Sequence, residues 1–266
     1  MLRFEPNILH LFKEVPLMER FERAARAGFT AVEFPVPYAY TPAKLVAVLE
    51  RHGLKMVLMN TPGGDSETQR GLACQPALRP EFRESITLAI RYAVALGRPL
   101  LHCPAGIAPK GEDPSCLRDT FIQNLRYAAR RCAEEGLSLC LEPINTVSHP
   151  GYYLNGTAQT LDLITDIDEL NVGILLDFYH MATMREPVLD LLQLAAPRLR
   201  HIQVADVPGK GEPGTGGIDF KAAFALLDQV GYEGWIGLEY TPVAQTEIGL
   251  TWMEAYAPRP RTGAGA

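Results

Sequence analysis

The sequence lacks the features that mark nucleic-acid-binding, membrane and secreted proteins. It has no block of lysines and arginines, and its formal net charge is −6, whereas nucleic-acid binders usually present a basic surface. No apolar run approaches the ~20 residues of a membrane-spanning helix. The N-terminal residues also lack the apolar core of a signal peptide. We therefore expect a cytoplasmic protein that binds neither nucleic acid nor a membrane.

The sequence also lacks paired-cysteine motifs and the common nucleotide-binding motifs. The five cysteines are scattered without a CxxC spacing, which indicates reduced thiols in a cytosolic protein. No GxGxxG motif follows the first strand-like run, and no P-loop is present. The sequence therefore gives no indication of a dinucleotide-binding domain or a P-loop nucleotide-binding protein.

The chain does contain a regular alternation of strand-like and helix-like segments. The apolar runs predict eight strands, over residues 5–12, 31–36, 54–60, 99–103, 137–141, 172–177, 199–204 and 235–239. Segments with apolar residues at helical spacing lie between these strands. Residues 180–195 are predicted to be mostly helical despite Pro187. Eight such units in ~250 residues are the count of a (β/α)8 TIM barrel, with a doubly wound open sheet as the alternative. We predict one α/β barrel domain over 1–257 and a flexible C-terminal tail over 258–266.

Polar side chains end the last four predicted strands, and these are Glu142, Asp177, Gln203 and Glu239. They follow one another at intervals of about one β/α unit, so in a barrel they meet at the face that carries active sites. Alternation along each strand turns these four side chains inward and directs apolar neighbours such as Ile202 and Leu238 toward the helices.

The chemistry of these four strand ends favours a divalent cation. Three carboxylates at one barrel mouth would repel each other, and oxygen ligands suit Mg²⁺, Mn²⁺ or Ca²⁺. Gln203 would add a neutral carbonyl oxygen. The alternative for each carboxylate is a structural role, in which it caps a helix or pairs with an arginine at the rim.

Other residues are candidates for binding a substrate. His102 ends the fourth strand and His180 follows the sixth, so either imidazole could bind a substrate oxygen or instead hydrogen-bond to a loop. Lys210, in a glycine-rich loop, could bind a substrate carboxylate or remain a solvated lysine. We expect His201 to lie one layer below the strand ends as a core histidine. Glu33, at the end of the second strand, could contact the site or pair with a basic residue.

Short motifs along the chain resemble those of hydroxypyruvate isomerases, which belong to the xylose isomerase-like barrel superfamily. The matching motifs are LEPIN at 141–145, PGYYL at 150–154, DFYH at 177–180, HIQVADVPG at 201–209, EPGTG at 212–216 and LEY at 238–240. The resemblance extends from Pro6-Asn7 to GLTW at 249–252 and so covers nearly the whole chain.

This resemblance implies a metal-assisted isomerase that interconverts hydroxypyruvate and 2-hydroxy-3-oxopropanoate (tartronate semialdehyde) through an enediolate. In the family, the residues matching Glu142 and Glu239 form the acid/base pair and also bind the metal, and those matching Asp177 and Gln203 complete the ligand set. The expected cofactor is Mg²⁺ or Mn²⁺, and the expected substrate is a small 2-oxo or hydroxy acid. Barrels of this kind often pair, so a homo-oligomer is an open expectation.

Departures from the family pattern concern the substrate more than the reaction. Sugar 3-epimerases of the superfamily usually have a histidine where this chain has Gln203, which favours the isomerases of hydroxypyruvate or 2-oxo-tetronate. A 2-oxo-tetronate isomerase or a ketose 3-epimerase is the alternative. Lys210 stands where the family commonly has arginine, and Gly217 stands where an acidic residue is usual.

Two hypotheses lie outside this reaction class. A metal-dependent nuclease of the endonuclease IV type would need several histidine ligands for zinc and a basic surface. The chain has only six histidines and a negative net charge, which disfavour it. A catalytically silent sugar-binding protein is disfavoured by the intact set of carboxylates.

Overall fold

The computed structural model describes residues 2–65 and 67–256, in which eight parallel strands form one sheet surrounded by helices. The strands are β1 (Arg3–Pro6), β2 (Ala31–Glu33), β3 (Lys55–Asn60), β4 (Leu100–His102), β5 (Leu139–Leu141), β6 (Val172–Asp177), β7 (Leu199–Val204) and β8 (Trp235–Leu238). β1 pairs with β8, and a parallel bridge between Asn7 and Glu33 brings β1 and β2 together. The chain is therefore a (β/α)8 barrel, as predicted. The predicted tail, 258–266, lies outside the described residues.

Helices follow the strands around the barrel. In the described part of the chain they are α1 (Arg20–Arg26), α2 (Pro42–His52), α3 (Arg79–Ala95), α4 (Pro114–Ala133), α5 (Thr157–Ile167), α6 (Phe178–Thr183), α7 (Val188–Ala195), α8 (Phe220–Gln229) and α9 (Thr246–Gly249). The side chains of Thr41, Asp113 and Asp219 accept hydrogen bonds from first-turn N–H groups and so fix the starts of α2, α4 and α8. Across residues 2–65 and 67–256, every helix is too short or too polar to cross a lipid bilayer.

Two elements show the largest differences from their predicted bounds, and several other strands are shorter by one to three residues. The first strand ends early, at Pro6, because the chain turns at Asn7, whose carbonyl oxygen accepts a hydrogen bond from the N–H of His10 at 2.9 Å. The segment predicted over 180–195 forms two helices, α6 and α7, separated by a short turn. Pro187 immediately precedes α7. Proline has no backbone N–H to donate a hydrogen bond within a continuous helix, so the helix is interrupted here.

Side chains alternate between the barrel interior and the helix layer as predicted. Leu58, Cys140 and Leu175 form a small apolar cluster inside the barrel. Leu139 and Leu141, which flank Cys140, belong instead to the large core between the strands and the helices. The interior cluster lies one layer below the strand ends, so the polar residues that follow these strands face an open cavity.

Candidate active site

The carboxyl ends of the strands surround a cavity of about 360 Å³. Its lining includes six of the residues singled out from the sequence, namely His102, Glu142, His180, Gln203, Lys210 and Glu239. Asp177 is fully buried beside them, with its Oδ2 atom 3.5 Å from His180 Nε2. The structure therefore brings all seven predicted site residues to one place.

Glu142 follows β5 and lies between two histidines. Its Oε2 atom is 3.6 Å from His102 Nε2, and its Oε1 atom is 3.7 Å from His180 Nε2. Burial, together with the carboxylates of Glu239 and Asp177, raises the pKa of Glu142 well above its usual value. The protonated form of this carboxyl group is therefore favoured.

Asp177 ends β6 and combines a structural contact with an unused acceptor. Its Oδ1 atom accepts a hydrogen bond from the Tyr179 N–H at 2.8 Å and so caps α6. Its Oδ2 atom is buried without a hydrogen-bond partner among the described residues. Burial raises the pKa of Asp177 to about 7, with Lys210 acting in the opposite direction.

Gln203, at the inner face of β7, is held by two carboxylates. Its Nε2 amide donates to Glu33 Oε1 at 2.9 Å and to Glu239 Oε2 at 2.7 Å. Its Oε1 atom is buried and has no donor within the described part of the chain. The two bonds therefore fix which end of the amide remains free, and it is the carbonyl oxygen.

Glu239 follows β8 and is surrounded by donors. Lys210 Nζ lies 2.7 Å from its Oε1 atom, Asn7 Nδ2 lies 3.1 Å from Oε2, and His10 Nε2 lies 3.6 Å from Oε1. Burial alone would raise the pKa of Glu239, but Lys210 and His10 outweigh it and lower the pKa to about 2. The ionised form of Glu239 is therefore favoured, whereas burial acts in the opposite direction at Glu142.

The two histidines at Glu142 are neutral and oriented by asparagines. His102 Nδ1 lies 3.2 Å from Asn60 Oδ1, and His180 Nδ1 lies next to the Asn145 side-chain amide, so each ring turns Nε2 toward Glu142. Burial lowers the pKa of His102 to about 4 and that of His180 to about 3, with Lys210 contributing to the second shift. Neutral imidazoles can exchange hydrogen bonds with substrate oxygens.

The donor set at the floor of the cavity fits a divalent cation. Glu142, Asp177 and His180 offer ligand atoms that all lie within 4.8 Å of one another. The unpartnered atoms Asp177 Oδ2 and Gln203 Oε1 are the hard oxygen acceptors that Mg²⁺ and Mn²⁺ prefer. Glu239 is engaged with Lys210 in this arrangement and is not part of the three-residue group.

A second group of titratable residues lies below the cavity, inside the barrel. Glu5, Glu33 and His201 are almost completely buried, and His201 Nε2 lies 3.2 Å from Glu33 Oε2 and 3.5 Å from Glu5 Oε1. His201 is thus the deeper core histidine that its strand position predicted. The sequence pattern did not single out Glu5, although this residue occupies the inward phase of β1, and the role of Glu33 was open from the sequence alone.

Comparison with known proteins relates the chain to a family of barrel enzymes. The model of the xylose isomerase-like TIM barrel family matches residues 21–256. A hydroxypyruvate isomerase of Escherichia coli is 42% identical over 257 residues, which cover 96% of this chain and 100% of that protein. A 2-oxo-tetronate isomerase of Haemophilus influenzae is 37% identical over 257 residues, with the same coverage of 96% and 100%.

One solved structure is similar along the entire fold. It comes from Brucella melitensis and is described as an AP endonuclease of family 2. It matches with a TM-score of 0.93 at 38% sequence identity and covers 97% of this chain and 100% of that one. The whole barrel, rather than a part of it, is therefore shared with this protein.

Proposed function

The chain belongs to the hydroxypyruvate isomerase family of xylose isomerase-like TIM barrels, and we propose that it interconverts hydroxypyruvate and 2-hydroxy-3-oxopropanoate (tartronate semialdehyde). It is an aldose–ketose type isomerase, like its relatives. In the proposed reaction, a base removes a proton from the carbon beside the carbonyl group, which gives an enediolate, and an acid then protonates the neighbouring carbon. We place this reaction in the cytoplasm.

The placement of Glu142 and Glu239 carries this proposal, because both carboxyl groups line one cavity, from strands three positions apart around the barrel. In the metal-free protein Glu239 accepts hydrogen bonds from Lys210 and Asn7, whereas Glu142 is buried beside two other acidic groups, which raises its pKa. Such a pair can accept a proton at one carbon and donate a proton at the next, so we assign Glu239 as the base and Glu142 as the acid for hydroxypyruvate. A carboxylate with so low a pKa is a weak base, so we infer that the carbonyl or hydroxyl oxygen of the bound substrate draws Lys210 away and raises the basicity of Glu239.

We further propose that the floor of the cavity holds Mg²⁺ or Mn²⁺, with Glu142, Asp177, Gln203 and Glu239 as its ligands. A bound divalent cation supplies Lewis-acid stabilisation of negative charge on substrate oxygens. The unpartnered acceptors at Asp177 and Gln203 support this assignment. His102 and His180 remain available to hold substrate oxygens, because their Nε2 atoms face the same floor.

Removal of divalent cations is expected to abolish turnover and to lower the unfolding temperature. Without a cation the carboxyl groups repel each other, and ligand binding at about 100 times Kd contributes ~2.7 kcal/mol to stability. Turnover and thermal unfolding are measured after chelation and again after Mg²⁺ or Mn²⁺ is added. Asp177→Asn serves as the control that should gain little stability from Mn²⁺. A metal-free protein that keeps its full rate would contradict the proposal.

Steady-state rates on a panel of substrates test the reaction itself. We expect the highest kcat/KM for hydroxypyruvate. The similarity to a 2-oxo-tetronate isomerase makes the four-carbon acid the second candidate. The panel also includes a neutral ketohexose, to test for 3-epimerase activity, and a DNA duplex with an abasic site. A higher kcat/KM for the ketohexose, or cleavage of the duplex, would overturn the proposed function.

The description of the Brucella structure as an endonuclease does not by itself favour DNA as the substrate here. Binding to the phosphate backbone requires clustered lysines and arginines. This chain has a formal net charge of −6, and its cavity floor is formed by carboxyl groups. The charge distribution therefore agrees better with a small molecule than with a duplex.

A further inference from the structure

Among the described residues, two lysine or arginine side chains line the cavity, and only one of them has a carboxylate partner. Lys210 Nζ is paired with Glu239 and lies 5.5 Å from the ring centroid of Tyr179. Arg70 also lines the cavity, but no carboxylate within residues 2–65 and 67–256 lies at ion-pair distance from its guanidinium. Arg70 is exposed whereas Glu142 is buried, so Arg70 stands at the mouth of the cavity.

The loop that carries Arg70 is folded by its own hydrogen bonds. Asp65 Oδ1 accepts a bond from the Thr68 N–H at 2.8 Å, and the Asp65 carbonyl oxygen accepts one from the Arg70 N–H at 3.0 Å. The N–H of Gly71 donates to the carbonyl oxygen of Gly63 at 2.8 Å. Arg70 itself has a φ of +49°, a left-handed conformation that non-glycine residues seldom adopt. The surrounding hydrogen bonds hold it in this conformation.

Close backbone contacts fasten this loop to the next loop around the barrel. The Ile107 N–H donates to the Gln69 carbonyl oxygen at 2.8 Å. At Gly71, where φ is +142°, a Cβ atom would lie 2.4 Å from the backbone nitrogen of Gly106. Only glycine permits this approach. The backbone of Arg70 is therefore fixed relative to the wall of the cavity before any ligand binds.

The charges in the cavity leave a substrate carboxylate without a partner. Lys210 is already engaged with one of the three acidic groups at the floor, which are Glu142, Asp177 and Glu239. An acidic substrate would add a further negative charge to this site. A guanidinium matches the two oxygens of a carboxylate and can form two parallel charge-assisted hydrogen bonds with them.

We propose that Arg70 binds the carboxylate of the substrate at the mouth of the cavity and so makes 2-oxo acids the preferred substrate class. The identity of the acid rests on the proposed function, whereas the carboxylate-binding site does not. A substrate bound in this way directs its carbonyl carbon toward the floor. The ring centroid of His149 lies 6.0 Å from that of His180, which faces the floor. Burial lowers the pKa of His149, and the charge of Arg70 is the next largest cause, so Arg70 lies close to this part of the cavity.

The test measures the binding of a carboxylate that cannot react. D-Glycerate has a hydroxyl group in place of the 2-oxo group, so calorimetry of the Mn²⁺-loaded protein reports binding alone. Arg70→Met is expected to weaken D-glycerate binding by about 10- to 100-fold, as for the loss of a charge-assisted contact, with Mn²⁺ affinity unchanged. Arg70→Lys should give an intermediate loss. Arg51→Met, at an exposed position on α2 outside the cavity lining, is the matched control.

The same variants separate the role of Arg70 from that of Lys210 and from the proposed reaction. The KM of Arg70→Met for hydroxypyruvate should rise while kcat changes little, whereas Lys210→Met should mainly lower kcat, because the substrate oxygen that draws Lys210 away from Glu239 loses its positively charged partner. Unchanged D-glycerate binding in Arg70→Met, no binding by the wild type, or a larger loss in Lys210→Met would each overturn the inference. If Arg70→Met weakens D-glycerate binding but the wild type does not isomerise hydroxypyruvate, the carboxylate site stands and the proposed reaction fails.

Discussion

Replacement of either Glu142 or Glu239 by glutamine is expected to lower kcat by about 10²- to 10⁴-fold, because each change removes one of the two groups that carry the proton. The measurement is the steady-state rate of hydroxypyruvate isomerisation, with circular dichroism to verify the fold. Glu84→Gln, at an exposed position on α3, is the control and should keep the wild-type rate. A rate near that of the wild type in either site variant would contradict the acid/base assignment.

Exchange of substrate hydrogen with solvent deuterium distinguishes the two glutamates. If Glu239 removes the proton from C3 of hydroxypyruvate, then Glu142→Gln should still exchange this hydrogen without completing the isomerisation. Glu239→Gln should lose both exchange and isomerisation. The opposite pattern would reverse the two roles, and it would show that the charge on Glu239 in the free protein does not determine which group acts as the base.

Much of the fold and of the site follows from alternation along strands. In a parallel barrel, every strand ends at the same face, so polar residues such as Glu142 and Gln203 can be assigned to one site from their positions alone. The same alternation correctly directs Cys140 into the barrel and Leu141 toward the helices. Local patterns suffice here because they determine both where a strand ends and which way its side chains point.

The contacts that the sequence did not indicate depend on closure of the barrel and on loop structure. Glu33 and His201 are far apart in sequence and meet only because the sheet closes, so no local pattern pairs them. Arg70 lies in a loop without periodicity. Its place at the cavity depends on the approach of Gly71 to Gly106, which involves no side chain. Hydrophobic periodicity carries no information about either arrangement.

The buried group of Glu5, Glu33 and His201 below the cavity helps to fix the orientation of the Gln203 side-chain amide. Both hydrogen-bond acceptors of the Gln203 amide nitrogen are carboxylate oxygens, from Glu33 below and Glu239 beside it. A carboxylate can only accept hydrogen bonds, so a flip of the amide would place its oxygen against negatively charged oxygens. Burial and the neighbouring Glu33 raise the pKa of Glu5 well above its usual value, so the protonated form of Glu5 is favoured. Glu33 and Glu239 therefore orient Gln203 together, and Glu33 does so from below the cavity.

Glu33→Gln is expected to weaken Mn²⁺ binding by about 10- to 100-fold, which is typical when a group that orients a metal ligand is lost. A glutamine at this position can donate as well as accept, so it no longer forces the carbonyl oxygen of Gln203 toward the cavity. The measurement is a calorimetric titration with Mn²⁺ in the absence of substrate, and thermal unfolding monitors stability.

Glu5→Gln is the matched control for this experiment, because it alters the same buried group without altering a partner of Gln203. Since the neutral form of Glu5 is already favoured, glutamine there should preserve both its charge and its size, and Mn²⁺ affinity should stay close to that of the wild type. Equal losses in the two variants would mean that the packing of the group, and not the orientation of the amide, determines metal affinity. Unchanged affinity in Glu33→Gln would show that Gln203 needs no such orientation to bind the metal, or that it is not a ligand.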